Sequence, residues 1–298
     1  MSSIKQVLCP VDFSEAGEAA ISEAFACAHR QDAVLHLLHV DVLYDHDPYG
    51  AKHLQPEDLE ISERTNTYYD EIIARFGSRG INIVRAEVRA IAAATGICTY
   101  AEEHKIDLIV TGSHGRRGVK HWLLGSVTEE TIRNTPCPVL TVRAQRPEHR
   151  RGLYQRILVP TDLSEVADRT VRYARQAAAN ADGELLVLHV VNRAPIHDVY
   201  GWPQSSEWLQ QALSTSEARL KRLTAEKGPT VKSQIKVAMG TPHQEIAAWA
   251  KEAEADIILM PHHSNNQIVD YFIGSTTERV LRETACPIFT IPVDRLHY

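Results

Sequence analysis

The residues best suited to chemistry in this chain lie in one glycine-bearing stretch, from Gly112 to Val127. It follows the apolar run Leu108–Val110 and leads into a helical pattern, so it reads as a strand, a loop and a helix start. Gly112 and Gly115 let backbone N–H groups approach an anion and tolerate positive φ. Gly125-Ser126 lies where a helix N-terminus presents unpaired N–H groups and the positive end of its dipole. The stretch therefore predicts a phosphate cradle.

The spacing of this stretch, Gly-x2-Gly-x9-Gly-Ser, differs from two other nucleotide motifs. A Walker loop ends in Gly-Lys-Ser/Thr, and a dinucleotide loop reads Gly-x-Gly-x-x-Gly. Arg116, Arg117 and Lys120 lie inside the loop and supply positive charge for phosphate groups. Ordinary surface turns also contain glycines, and it is the position after a core strand that favours a functional loop here.

Length and composition indicate a globular protein of two domains. The chain has 298 residues, of which 44% are hydrophobic and 23% charged. A formal net charge of −6 gives no support for a general nucleic-acid or membrane binder. The N-terminus, MSSIKQVLCP, lacks the pattern of a signal peptide. The five cysteines are scattered and lack Cys-x-x-Cys spacing, which indicates a reducing, cytoplasmic location and argues against disulfides and a cysteine zinc site.

The chain contains two copies of one sequence pattern. IKQVLCPVDFSE at Ile4–Glu15 recurs as YQRILVPTDLSE at Tyr154–Glu165. Further positions recur 149 or 150 residues later: Asp12, His39-Val40, Asp107, Gly125-Ser126 and Cys137-Pro138. A period this long indicates two copies of a domain. The polar, basic segment 144–153 reads as a linker, so domains are predicted at 1–143 and 154–298.

Strand and helix patterns alternate within each copy. In the first copy, strands are predicted at Gln6–Pro10, Val34–Val40, Ile81–Val88, Leu108–Thr111 and Val139–Val142. Helices are predicted after Ser14, which can cap one, and at Pro56–Phe76, Thr95–His104 and Ser126–Asn134. The second copy repeats this order from Arg156 to Ile291. The alternation predicts two doubly wound α/β domains, each with a mainly parallel sheet covered on both faces.

Two loops of each copy are placed to hold a ligand. In open parallel sheets, ligands bind beyond the carboxyl ends of strands where the strand order reverses. One loop is Pro10–Ser14 after the first strand, and the other is the glycine loop after the fourth, so we expect these strands to be neighbours. Asp12 can accept a hydrogen bond from an adenine amino group or a ribose hydroxyl, and Val40 can offer backbone groups to a base edge.

These motifs together resemble those of the universal stress protein family, over essentially the whole chain as two tandem domains. The resemblance rests on Pro-x-Asp-x-Ser, on His39-Val40 and above all on the long glycine motif. It implies five-stranded parallel sheets of order 3-2-1-4-5 and ATP binding, with Mg²⁺ expected beside the triphosphate. The ATP-contacting positions that it implies are Pro10, Asp12, Val40, Gly112, Ser113, His114, Gly115, Arg116, Gly125, Ser126 and Val127.

The family resemblance also implies an intrachain pseudo-dimer of the two domains. The last strands, Val139–Val142 and Ile288–Ile291, are the edges expected to pair, which would cover strands that otherwise invite aggregation. Association of two chains into a homodimer is a further expectation. Neither nucleic acid nor a membrane is an expected partner.

The second copy departs from the first in its glycine loop. At an offset of 149 residues, Gly112 becomes Pro261 and Gly115 becomes Ser264. Pro261 has no N–H to give, and the Cβ of Ser264 resists positive φ. Gly274-Ser275 survives at the helix start. We therefore expect this domain to keep the fold while its phosphate cradle is weakened.

Histidines near the crevices are predicted to be structural. His262-His263 resembles a metal pair, but adjacent residues in an extended segment point to opposite sides and no third ligand of standard spacing joins them. His39 and His189 end strands before the crevices and are predicted to make structural hydrogen bonds.

The chain shows no hydrolase anchor, because it lacks a Gly-x-Ser-x-Gly elbow and a His-Glu-x-x-His motif. We expect a cytoplasmic stress-response or signalling protein whose N-terminal domain binds ATP. Three alternatives stay open. The chain could be a scaffold without nucleotide, or a slow ATPase or self-phosphorylating protein with Ser113 or Ser126 as acceptor. The second domain could also bind another ligand or a metal.

Overall fold

Two successive sets of alternating strands and helices make up the computed structural model of this chain. It describes residues 4–14, 17–43, 62–77, 80–113, 124–143, 154–192, 206–226, 228–262 and 273–296. The described residues form two compact units, one containing residues 4–143 and the other containing residues 154–261 and 274–296. None of the described helices has the length and apolar character that a bilayer crossing needs. The proposed pairing of the two domains stays a prediction.

The first half contains five strands and four helices in its described part. The strands are β1 (Gln6–Val11), β2 (Val34–Val42), β3 (Ile83–Ala90), β4 (Leu108–Gly112) and β5 (Val139–Val142). The helices are α1 (Glu18–Gln31), α2 (Glu63–Phe76), α3 (Ala93–Glu103) and α4 (Ser126–Asn134). The strand order is β3-β2-β1-β4-β5, and all neighbours are parallel. The predicted order and the adjacency of the first and fourth strands are confirmed.

The second half repeats this order of elements. Its strands are β6 (Arg156–Thr161), β7 (Glu184–Asn192), β8 (Lys232–Gly240), β9 (Ile257–His262) and β10 (Ile288–Pro292). Its helices are α5 (Glu165–Asn180), α6 (Ser206–Thr224), α7 (Pro242–Glu252) and α8 (Ser275–Glu283), followed by a 3₁₀ turn at Val293–Arg295. The strands lie in the order β8-β7-β6-β9-β10. The repeated sequence thus gives a repeated topology.

The core of each half is the pair of central strands and the helices that cover them. Leu8, Leu37 and Ile109 are fully buried in the first half, as Leu158 and Leu186 are in the second. Near-continuous apolar runs such as these are typical of parallel strands with both faces covered. Helix α1 buries an apolar stripe whose members are at most 3% exposed: Ile21, Phe25 and Ala28.

An aspartate fixes the amino end of the first strand in both halves. The carboxylate of Asp107 accepts the N–H groups of Lys5 and Gln6, at 2.7 and 3.0 Å. The carboxylate of Asp256 accepts those of Gln155 and Arg156, at 3.1 and 2.9 Å. These bonds satisfy backbone donors that would otherwise lack partners at a strand end. The two halves therefore share their construction at the amino-terminal edge of the sheet.

Candidate functional site

The pairing of β1 with β4 ends before the carboxyl ends of the two strands. The N–H of Val34 donates to the carbonyl of Lys5. The backbone N–H and C=O groups of odd-numbered residues in β1 therefore point toward β2, and those of even-numbered residues, including Pro10, point toward β4. Proline has no N–H, so it cannot continue that ladder. Pairing of β1 with β4 ends at Leu8, whereas pairing with β2 runs to Val11. We call this place the β1–β4 crevice; Pro10, Asp12, Gly112 and Ser113 define it.

Asp12 organises the turn at the end of β1. Its Oδ1 accepts the Ser14 hydroxyl at 2.6 Å and the Ser14 N–H at 3.1 Å. The Ser14 hydroxyl oxygen in turn accepts the N–H of Gly17 at 3.2 Å. Helix α1 begins at Glu18 with Gly17 at its N-cap position, so the prediction that Ser14 caps this helix is wrong. Ser14 instead tightens the preceding turn, and Asp12 is held at the crevice.

His39 lies beneath this turn and makes a structural hydrogen bond, as predicted. Its Nδ1 lies 3.0 Å from the carbonyl oxygen of Val11, which can only accept, so Nδ1 carries the proton. The ring packs on Phe13, with 4.3 Å between centroids, and Phe13 also meets Tyr68 edge-on. His189 repeats the bond with the carbonyl of Thr161, at 2.8 Å. Both histidines fix the end of the second strand against the first.

Val40 presents its backbone toward the β1 side, one residue past the last pair between β1 and β2. The direction follows from Val34, because alternate residues of a strand face the same neighbour. Helix α3 packs directly on the Val40 side chain. A Cβ on Gly96 would come 2.8 Å from Val40 Cγ1, so only glycine allows this approach. Gly96 thus lets α3 hold Val40 in place.

The passage from β4 to α4 is tied together by backbone and side-chain bonds. Ser113 is 3% exposed; its N–H donates to Val142 at 3.0 Å, and its carbonyl accepts the N–H of Gly125 at 2.8 Å. Gly125 is the N-cap of α4 and has no side chain to cap the helix. The first N–H groups of α4, at exposed Ser126 and Val127, therefore form an electropositive helix end. The bond between Gly125 and Ser113 brings this helix end next to the end of β4.

The structure places eight of the eleven predicted site residues at the carboxyl edge of the first-half sheet. These are Pro10, Asp12, Val40, Gly112, Ser113, Gly125, Ser126 and Val127. The other three, His114, Gly115 and Arg116, lie outside the described residues, as do Arg117 and Lys120. Gly112 would tolerate positive φ, but it continues β4 and is not among the described glycines with positive φ. Its backbone is extended because it still pairs with β5.

Comparison with known proteins identifies the family. The model of the universal stress protein family matches residues 3–143 and again residues 153–292. The chain belongs to the universal stress protein family. Two universal stress proteins of Methanocaldococcus jannaschii are 28% and 25% identical to it, each over 47% of this chain and over 83% and 95% of their own lengths. A solved universal stress protein of Archaeoglobus fulgidus shares the fold, with a TM-score of 0.67, 23% identity and 97% of each chain covered.

This universal stress protein differs between its halves at the helix start after the fourth strand. Pro261 and His262 end β9, where the first half has Gly112 and Ser113. Gly274 precedes α8 with φ 85°, whereas Gly125 has φ −64°. Thr277, the counterpart of Thr128, has no hydrogen bond to the strand end among the described residues. Equal spacing in the sequence therefore gives two different helix starts.

Metal binding finds no support in the described part of this universal stress protein. No group of three or more histidine, cysteine, aspartate or glutamate side chains is placed there to hold an ion. His262 is 1% exposed within β9, and His263 and Ser264 lie outside the described residues.

Cys9 lies under the crevice but is unsuited to nucleophilic chemistry. Burial, with a smaller contribution from the charge of Asp12, raises the pKa of its thiol to about 12. Only the thiolate is an effective nucleophile, and this thiol stays protonated at neutral pH. Cys9 therefore serves as a small apolar residue of the core.

Proposed function

We propose that the N-terminal half binds ATP and that the nucleotide controls a protein acting in stress response or signalling. Some members of the universal stress protein family bind ATP. The observation that carries the proposal is the interrupted ladder at Pro10, next to a helix start that Gly125 and Thr128 tie to the end of β4. A parallel sheet offers a ligand its backbone groups at such an interruption.

The parts of the nucleotide match different parts of this edge. The first N–H groups of α4 and the backbone near Ser113 suit the phosphates, because each N–H to phosphate bond is charge-assisted. The backbone of Val40 suits a base edge, and Asp12 suits a ribose hydroxyl or an adenine amino group. In sequence, His114, Gly115 and Arg116 add backbone donors and a positive charge between these places.

Mg²⁺ would be held mainly by the phosphate oxygens of the ATP. Among the described residues, Asp12 supplies the carboxylate of the β1–β4 crevice. Its Oδ1 already accepts two hydrogen bonds from Ser14. Magnesium commonly binds through one or two carboxylates together with substrate phosphates and water. The described residues therefore suit an ion that arrives with the nucleotide.

The second half is proposed to lack this ATP site. Pro261 replaces a residue that could donate an N–H, and the described residues show no bond from Thr277 to Pro261 or from Gly274 to His262 that would match those fixing the start of α4. Asp162 keeps the turn through its bond to the Ser164 N–H, at 2.9 Å. A turn of this kind caps a helix without any ligand, since Ser164 accepts the N–H of Ala167 at 3.2 Å.

Equilibrium titration of the full chain with ATP and Mg²⁺ tests the proposal. Gly115→Val removes the glycine of the loop, and we expect a loss of affinity of about 10- to 100-fold, the equivalent of one or two charge-assisted bonds. Ser264→Val makes the matching change in the second half and should leave the affinity unchanged. Equal affinity of Gly115→Val and the parent would show that the site has been misplaced.

A slow ATPase is the second candidate, since the same site would hold its substrate. Ser113, one of the two acceptors considered, is 3% exposed, which disfavours phosphoryl transfer to its hydroxyl. Ser126 is exposed at the start of α4 and is the acceptor that the described structure favours. Release of ADP no faster than in buffer, with no label on Ser126 after incubation with radioactive ATP, would remove this candidate.

A further inference from the structure

The side chain of Thr128 bridges the first turn of α4 and the last residue of β4. Its hydroxyl lies 2.8 Å from the carbonyl oxygen of Gly112, sixteen residues earlier in the chain. Since a carbonyl only accepts, Thr128 is the donor. The Thr111 hydroxyl lies 3.3 Å from the same carbonyl oxygen and 3.4 Å from the Thr128 hydroxyl, so its single proton can serve either contact. Thr128 is 6% exposed, whereas Thr111 and Gly112 are partly exposed, so this small network is partly shielded from water.

The bond joins the two parts of the proposed ATP site. Gly112 ends the strand, and Thr128 is the third helical residue of α4, directly after the exposed N–H groups of Ser126 and Val127. Together with the bond from the Gly125 N–H to the Ser113 carbonyl, it fixes the position of this helix end relative to the strand. A binding group that is held in place before the ligand arrives loses less freedom on binding.

The second half provides an internal comparison. Thr277 takes the place of Thr128 and is buried to the same degree, at 6% exposure. Among the described residues, its hydroxyl makes no bond to Pro261, and Gly274 adopts φ 85° instead of the φ −64° of Gly125. A threonine at this helix position therefore does not form the bond by itself. The carbonyl at the end of the preceding strand must also be placed to accept it.

We propose that Thr128 is a positioning residue that sets the affinity for the phosphates of ATP. It does not touch the nucleotide; it holds the N-terminus of α4 at the crevice through the Gly112 carbonyl. The inference rests on the proposed ATP binding. It predicts an effect that grows with the number of phosphates on the ligand and is absent for adenosine, which has none.

The test measures the binding of ATP and of adenosine to the full chain in four variants. Thr128→Val keeps the shape and removes the donor, and should weaken ATP about tenfold while adenosine binds as before. Thr128→Ser keeps the hydroxyl and should bind ATP like the parent. Thr277→Val makes the matched change in the second half and should change neither affinity. Thr128→Ala carries the same expectation as Thr128→Val if the valine variant does not fold.

Two results would overturn the inference. If Thr128→Val binds ATP as tightly as the parent, or loses ATP and adenosine equally, then the hydroxyl does not position the phosphate-binding groups. The proposed ATP binding would survive both results. A parent chain that binds no ATP would instead overturn the proposed function, and this inference with it.

Discussion

The two halves are alike at one edge of the sheet and different at the other. At the amino edge, Asp107 and Asp256 make the same pair of backbone bonds. At the carboxyl edge, the start of α4 is bonded to β4, whereas the start of α8 lacks the matching bonds in the described part. The stability of both halves depends on the bonds at the amino edge. We infer that the arrangement at the carboxyl edge serves ATP binding, and that only the first half needs it.

The interior of the halves differs as well, under α3 and α7. In the first half, His36 is 5% exposed; its Nδ1 lies 2.9 Å from the Tyr100 hydroxyl, and its Nε2 lies 2.8 Å from Gln6 Oε1. In the second half, the matching positions hold Leu186 and Trp249. The His36–Tyr100 contact of the first half is therefore replaced by two buried apolar residues in the second, while Arg156 takes the place of Gln6.

The largest expected effect is a dependence of stability on pH that is present in the first half and absent from the second. Burial, and the nearby charge of His104, lower the pKa of His36 to about 4 from 6.5. The unfolded chain then binds more protons between these values, so the stability of the first half falls as the pH drops from 6.5 to 4, by about 3 kcal/mol.

Hydrogen exchange of the β2 and β7 amides across this range measures the loss in each half separately. His36→Leu introduces the residue that the second half has, and should remove most of the pH slope in β2. A slope that persists unchanged in His36→Leu would assign it to other groups. The β7 amides serve as the control, because Leu186 does not titrate.

A smaller effect comes from the two glycines before α4 and α8. Gly274 has φ 85°, and the nearest atom to an added Cβ is 3.8 Å away, so Gly274→Ala would be strained but not crowded. We expect a loss of about 1–3 kcal/mol in the free energy of unfolding. Gly125 has φ −64° and ψ 138°, which any residue adopts, so Gly125→Ala should change stability by about 0.5 kcal/mol or less. Urea denaturation of both variants would contradict this account if their losses were equal.

The smallest expected effect concerns a buried hydroxyl on α4. Thr131 is 1% exposed, and its hydroxyl has no hydrogen-bond partner among the described residues. The matching residue of α8 is Val280, at 0% exposure. Thr131→Val should therefore stabilise the first half by about 1–2 kcal/mol, because it removes an unsatisfied polar group at constant volume. Val280→Thr should destabilise the second half by a similar amount. A lower denaturant midpoint for Thr131→Val, or a higher one for Val280→Thr, would contradict the presence of an unsatisfied hydroxyl on α4.

Much of this architecture could be predicted from the pattern of residues. Apolar runs predicted the strands, and apolar residues at helical spacing predicted the helices. The end of α2 at Phe76 agrees with its prediction. The switch point between β1 and β4 followed from the order of the elements and is confirmed by their pairing. These features depend on chain-local patterns, which a sequence displays directly.

The features that the sequence concealed depend on contacts between distant residues. Thr128 resembles any threonine of a helix start, and nothing local indicates that its hydroxyl reaches Gly112. The cluster at His36 joins three elements, so the hydrophobic pattern of β2 alone does not reveal it. The start of α1 was misplaced because Ser14 makes the same type of bond in a turn as in a cap.

The number of ATP molecules bound per chain tests the central claim most directly. Native mass spectrometry of the full chain with Mg²⁺, and with ATP near the dissociation constant of the parent, should show at most one nucleotide per chain in the parent and in Ser264→Val, and a much lower occupancy in Gly115→Val. Two nucleotides per chain in the parent at saturating ATP, or equal occupancy in Gly115→Val and the parent, would contradict an ATP site confined to the first half.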